Sequence, residues 1–393
     1  MTAFSRRTPA SFDANPWSRA RAALGDDAID WTVSNPESAH LFDETMRRRA
    51  SEILGTVRDG PYRPDACGRL ESREAVATLY ETRGVSVDPD DVVLTASTSD
   101  AYGLLFRVLC DPGDPVAMPL PSYPLLEHLA RLEGVRGVSF PLDAGAGWRP
   151  DPLLPAECVG VRVLVHPNNP TGTHADGPAI NASRERALRD RETWIVDEVF
   201  LDYPHGSPAP SDSETTHASY AAEHEIPCVA LGGLSKRFGL PGAKLSWIVL
   251  AGPPDFRREL RTRLAFAADQ YLNVGYAVQR ALPDLIAEAD VRHERIHARV
   301  LDNAVRIRRW ADERPQVDRL PTEGGWTACL RLPRIHDDEA RSLDLMRRHA
   351  VVVQPGYLFD FPDAGWLVVS LLASPEVTGR GLEALDAELA SDS

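Results

Sequence analysis

Lysine is nearly missing from this chain: 2 of 393 residues, against 41 arginines. It is ordinarily among the commonest residues. The two that remain, Lys236 and Lys244, both fall in the stretch 233–247, which reads GLSKRFGLPGAKLSW. Where only positive charge is needed, arginine serves. A guanidinium stays protonated and cannot attack a carbonyl. Two lysines kept on either side of Gly-Leu-Pro-Gly make chance survival the weaker reading and a Schiff-base lysine the sharper one.

Other absences narrow the class. There is no basic excess: a net charge of −15 and a pI near 5.2 argue against a nucleic-acid partner. No apolar run approaches the length of a membrane span. The N-terminus carries arginines with no apolar segment behind them, unlike a secretory signal. The five cysteines, Cys67, Cys110, Cys158, Cys228 and Cys329, show no CxxC and no metal-ligand spacing. Ordinary thiols in a reducing compartment follow, and a cytoplasmic location is expected. No repeat or low-complexity segment is present.

What is present is alternation. Residues 1 to about 30 read as an arm or leading helix. Helical spacing over 71–83 ends at Gly84, and Asp91 to Thr95 reads as a buried strand. Ala101, Leu104, Leu105, Val108 and Leu109 then repeat at helical intervals. Val116 to Pro119 is a strand, Leu125 to Glu133 a helix capped by Gly134, and a short strand follows near 138–141. Val161 to Val165 is a strand, Asn181 to Arg189 a helix, and Thr193 to Val196 a strand ending at Asp197. Cys228 to Leu231 and Leu245 to Leu250 add two more. This predicts an α/β fold, a mostly parallel sheet covered by helices, with a smaller α+β lobe after about 285. The expected division is 1–54 as an arm and part of the small lobe, 55–285 as the large lobe and 286–393 as the small lobe.

Chemistry-bearing residues stand where strands hand over to loops, the usual ligand edge of such a sheet. Ser97, Thr98 and Ser99 lie between a strand and a helix start, which suits an anion but equally suits capping. Asp197 ends an apolar strand, where a carboxylate is costly unless paired. Asn169 in NNPTG suits a turn, and Tyr123 in PSYP suits a core, when each is taken alone.

Taken in order, Tyr62, Ser97-Thr98-Ser99, Tyr123, Asn169, Asp197, Ser235-Lys236 and Lys244 resemble the class I/II aminotransferases, pyridoxal-phosphate enzymes of fold type I. HPNNPTG, DEVF and SKRFGLPG carry the resemblance, which runs from about residue 35 to about 370. It implies that Lys236 holds pyridoxal 5′-phosphate as a Schiff base and then acts as the base. Asp197 would pair with the pyridine nitrogen. Asn169 would donate to the ring's phenolate oxygen, and Tyr123 would stack on the ring. Ser97, Thr98, Ser99 and Lys244 would hold the phosphate, Lys244 standing where an arginine is usual, with Ser235 compensating for the serine that Gly233 replaces. Tyr62 would reach the neighbouring site of a homodimer. The implied reaction is a ping-pong transfer of an amino group between an amino acid and a 2-oxo acid.

The chain also departs from the family pattern. Phe200 replaces the tyrosine of DEVF-type motifs and cannot donate to the ring. Gly233 replaces a serine that contacts phosphate, and Ser34 stands where glycine is common. Val368 occupies the place of the arginine that clamps the substrate carboxylate, and no arginine occurs between Arg348 and Arg380. Arg63, Arg69 and Arg237 are the candidate replacements. Ser34, Asn35 and Trp326 are candidate substrate contacts. Trp31, Tyr357 and Phe359 suit either a pocket or a core. These departures keep open another reaction on the same scaffold, a lyase, decarboxylase or cyclase acting on a specialised amino acid. A ligand-sensing regulator would need a DNA-binding module that the residues before Tyr62 are too few and too polar to supply. No metal site is expected.

Overall fold

The computed structural model describes residues 4–9, 11, 13–25, 27–55, 62–151, 159–206, 219–272 and 274–391. Its centre is an eight-stranded sheet. In spatial order the strands are Val92–Thr95, Ser246–Ala251, Cys228–Gly233, Thr193–Asp197, Val161–Val165, Pro115–Leu120, Arg136–Asp143 and Arg149–Pro150. The run from Cys228–Gly233 to Arg136–Asp143 is parallel throughout. Ser246–Ala251 is antiparallel to both neighbours. Parallel strands are covered on both faces and therefore read as continuous apolar runs. VRVLV over Val161–Val165 is buried at every position. Its Arg162 is tolerated there because Glu192, equally buried, accepts two hydrogen bonds from it at 2.8 and 3.1 Å.

The helices end where their residues dictate. Leu125–Glu133 stops at Gly134, whose φ of 80° is the left-handed conformation that glycine adopts without a Cβ penalty. Thr98–Leu109 begins after Ser97, whose Oγ accepts from Asp100 N–H at 3.0 Å and caps the helix.

A second, antiparallel sheet orders Asp318–Arg319, Thr327–Arg331, Trp366–Ser370 and Gln354–Pro355. Around it packs a core that also takes in Ile29, Trp31, Leu41 and Phe42 from the N-terminal part. The helix Glu44–Gly55 goes the other way. Its Ala50 and Ile53 join the cluster of Val76, Leu79, Tyr80 and Leu94 beside the large sheet. The expected boundary after residue 54 therefore cuts through one element's packing. The 24-residue helix Ala289–Asp312 runs between the two cores, with Ala289 in the large one and Ile296, Val300 and Ile307 in the small one.

The two sheets also share a core. Ala117, Phe140 and Leu164 pack in one cluster with Cys329, Phe361, Trp366 and Val368. A backbone seam fastens the NNPTG loop across the same join: the carbonyl of Gly172 accepts from Glu323 N–H at 3.0 Å and Gly324 N–H at 2.9 Å. A Cβ on Gly172, whose φ is 69°, would sit 2.1 Å from Thr322 Cγ2. Only glycine fits that approach.

Candidate active site

At the carboxyl ends of the parallel strands, against the small sheet, lies a cavity of about 440 Å³. Each strand end delivers one part of its wall. Thr193–Asp197 ends on Asp197, Cys228–Gly233 leads through Leu234 to Ser235 and Lys236, and Val92–Thr95 leads to Ser97, Thr98 and Ser99. The HPNNPTG loop adds Asn169, and PSYP adds Tyr123. From the small-sheet side come Trp326, Thr327, Gln354, Phe359 and Ser370. Thr32, Val33 and Ser34 close one edge, tied down by Ser370, whose N–H donates to Trp31 O at 2.9 Å and whose Oγ donates to Val33 O.

Lys236 is the one cation that lines this cavity among the described residues. Its Nζ stands 5.2 Å from the ring centre of Phe200 and 5.0 Å from that of Trp326. Burial pulls its pKa down to about 8, against the opposing pull of the Asp197 charge. Asp197 is pushed up to about 6 by burial, opposed by the Val199 N–H, the Tyr102 hydroxyl and Lys236. Between those two values the pair is ionised on both sides. Tyr102 O–H donates to Asp197 Oδ2 at 3.2 Å, and Val199 N–H donates to Oδ1 at 3.1 Å. The buried phenol stays protonated, because burial and the adjacent carboxylate both raise its pKa well above the usual value.

The two asparagines of NNPTG divide their work. Asn168 Nδ2 donates to Pro121 O at 3.1 Å and Thr171 Oγ1 at 2.9 Å, which holds the loop's shape. Asn169 faces the cavity, and its buried Oδ1 has no hydrogen-bond partner. Asp100, whose charge would oppose an anion at the neighbouring helix start, is turned back: its Oδ2 accepts from Ala96 N–H at 3.0 Å.

The structure thus brings together Ser34, Ser97, Thr98, Ser99, Tyr123, Asn169, Asp197, Ser235, Lys236 and Trp326. Three expected residues lie elsewhere. Lys244 is exposed, with φ 52° after the turn Pro241–Ala243, and is not part of the cavity wall. Asn35 turns its side chain to cap Glu37 N–H at 3.0 Å. Tyr62 is 62 % exposed, stacks edge-on against Tyr276 and stays outside its own chain's cavity.

Among the candidates weighed for pocket or core, Phe359 lines the cavity and Trp31 is fully buried core. Tyr357 instead donates to Glu339 at 2.9 Å. Val368 is completely buried beside Trp366, Cys329 and Phe359. Arg237 is spent on Asp202 and Asp290. Arg69 is spent on Glu71 and the Tyr276 hydroxyl. Arg63 is exposed and does not line the cavity.

Sequence reasoning missed Tyr102, Tyr203 and Ser246. Tyr102 lies four residues after Thr98, on the same helix face, which is the one signal that could have found it. The fully buried Tyr203 donates to the carbonyl of Lys236 at 2.9 Å and so fixes that residue's backbone, a contact nothing in the chain's spacing reveals. Ser246 lies across the sheet from Gly233.

The chain is similar to known proteins over most of its length. The family model described as aminotransferase class I and II matches residues 27–385. An alanine aminotransferase of Mycobacterium bovis is 27 % identical over 315 residues, covering 76 % of this chain and 71 % of its own. Nicotianamine aminotransferase 1 of Oryza sativa is 25 % identical over 361 residues, covering 86 % and 70 %. Among solved structures, an alanine aminotransferase from Pyrococcus furiosus superposes with a TM-score of 0.81 at 22 % identity, covering 93 % and 92 %.

Proposed function

The chain belongs to the class I and II aminotransferase family, and on that premise we propose that the cavity around Lys236 is its catalytic centre. The enzyme is a pyridoxal phosphate-dependent transferase that moves an amino group between an amino acid and a 2-oxo acid. The observation that carries the site assignment is the pairing in one cavity of Lys236 with Asp197, the latter held by Tyr102 and Val199.

The residues present fit the cofactor. Thr98, Ser99, Ser235 and Ser246 line the cavity, and among the described residues none of their hydroxyls makes a hydrogen bond. They stand beside the start of the helix Thr98–Leu109, whose first N–H groups have no intrahelical partner. That is a donor set for a phosphate dianion. Asn169 would hold the ring's phenolate edge, Tyr123 its face and Asp197 its nitrogen.

When bound, pyridoxal phosphate supplies a carbonyl for the amino group and a ring that stores the electron pair released at the substrate's Cα. Lys236 Nζ carries the proton that leaves Cα, and a pKa near 8 keeps it poised to take and return one. Asp197 holds a carboxylate that would pair with a protonated ring nitrogen. Trp326, Phe200 and Phe359 give the cavity apolar rings, and the first two stand beside Lys236 Nζ.

The same reading makes the enzyme a homodimer in which Tyr62 serves the neighbouring site, supported by its exposure and its absence from its own cavity wall. It takes 55–285, with the helix Glu44–Gly55 packed on it, as the cofactor lobe, and 286–393 with the residues before that helix as the smaller lobe. Lys244, which the resemblance would place on the phosphate, is exposed and off the cavity wall, so this reading rests the phosphate on the hydroxyls instead. No helix among the described residues is long and apolar enough to cross a membrane, and scattered cysteines without pairing motifs support residence in the cytoplasm.

The test is a half-reaction. The cofactor-loaded enzyme, given amino donors singly and no acceptor, should release one equivalent of 2-oxo acid per site and stop. Adding a second 2-oxo acid should make the release catalytic. Carbon dioxide or an unsaturated product without a 2-oxo acid would sink this reading.

A further inference from the structure

The strand pair at the floor of the cavity carries an exchange of side chains. Gly233 and Ser246 are direct partners on the antiparallel ladder between Cys228–Gly233 and Ser246–Ala251, and both line the cavity. A Cβ built on Gly233 would lie 2.3 Å from Ser246 Oγ, 2.9 Å from its Cβ and 3.1 Å from its Cα. No real side chain tolerates the first two contacts. The two positions therefore share one side-chain volume, and in this chain Ser246 fills it.

The filling group is a hydroxyl. Ser246 is 2 % exposed, yet its Oγ makes no hydrogen bond among the described residues. Its Oγ reaches the surface of the cavity, where it can donate to a group held there. Ser246 opens onto the same cavity as the unengaged hydroxyls of Thr98, Ser99 and Ser235.

We propose that Ser246 is a phosphate ligand of this enzyme, supplying from the neighbouring strand the hydroxyl that a serine at position 233 would otherwise present. The hydroxyl has moved across the ladder while its place in the cavity has stayed. Gly233 is then an accommodation of Ser246, not a loss of a phosphate contact. This rests on the reading of the cavity as a pyridoxal phosphate site.

The experiment titrates cofactor-free protein with pyridoxal 5′-phosphate and, separately, with pyridoxal, which lacks the phosphate, following quenching of protein fluorescence. Far-ultraviolet circular dichroism confirms that each variant is folded. Ser246→Ala should weaken pyridoxal 5′-phosphate about 10- to 100-fold, the effect of one charge-assisted hydrogen bond, and leave pyridoxal unchanged. Gly233→Ser alone should weaken both ligands, because two side chains now contest one volume. The exchanged pair, Gly233→Ser with Ser246→Gly, should recover most of the parent's preference for the phosphorylated form.

An unchanged Ser246→Ala, an equal loss for both ligands, or an exchanged pair no better than either single variant overturns the inference alone. A parent protein that takes up no pyridoxal 5′-phosphate overturns the functional reading, and this inference with it.

Discussion

The pKa of Lys236 is set mainly by burial, and that gives its chemistry a pH dependence of known sign. An amine attacks a carbonyl only when neutral, and burial lowers this one to about 8 from the 10.5 of a free lysine. The rate at which cofactor-free protein captures pyridoxal 5′-phosphate should rise about tenfold per pH unit below 8 and level off above it. Stopped-flow absorbance between pH 6 and 10 measures this, and a profile still climbing at pH 10 would show the amine to be unperturbed. Lys236 was legible in the sequence because arginine has replaced lysine almost everywhere else. Tyr102 was not, since a tyrosine in a helix's apolar stripe looks like core until the fold brings its hydroxyl to Asp197.

The helix Thr98–Leu109 does two jobs with its first residues, and they are separable. All three of Ser97, Thr98 and Ser99 line the cavity, and among the described residues only the hydroxyl of Ser97 is engaged, capping the helix through Asp100 N–H. Ser97→Ala should cost about 1 kcal/mol of stability in urea unfolding of the cofactor-free protein. Ser97→Asp is an equally good cap and should leave stability within a few tenths of a kcal/mol. It also places a carboxylate beside the phosphate cradle and should weaken pyridoxal 5′-phosphate at least about tenfold. Equal cofactor affinity in the parent and Ser97→Asp would remove the anion from this helix start.

Most elements were legible in order and type. Leu125–Glu133 ends at its glycine, and the buried strands fall within a residue or two of their apolar runs. The antiparallel direction of Ser246–Ala251 was not legible, because apolar strands carry no mark of direction.

At the scale of the whole molecule, the cavity of one chain is walled by both sheets, and Tyr62 is left outside it. If Tyr62 serves the partner's site, two crippled variants should mend each other. In a mixed dimer of Tyr62→Ala with Lys236→Ala, one site carries both lesions and the other carries neither. Co-refolded protein should therefore regain about a quarter of parent activity, since half of a random mixture is mixed dimers with one intact site. Activity no higher than the sum of the separate variants would place Tyr62 in its own chain's structure instead.

The sequence by itself determined the chemistry on offer. A lone pair of lysines, a carboxylate at a strand end and an NNPTG loop are local facts, and local facts survive without coordinates. Tertiary structure decided which of them meet. Lys244 is as rare as Lys236 but is carried to the surface by a left-handed turn. Val368 is closed into the core shared by the two sheets. Gly233 gains meaning only from Ser246, which sits 13 residues away in the chain and directly opposite on the ladder. The physical reason is register: side-chain volume on a sheet is shared between partner strands, and nothing in one strand's own residues says which neighbour will fill it.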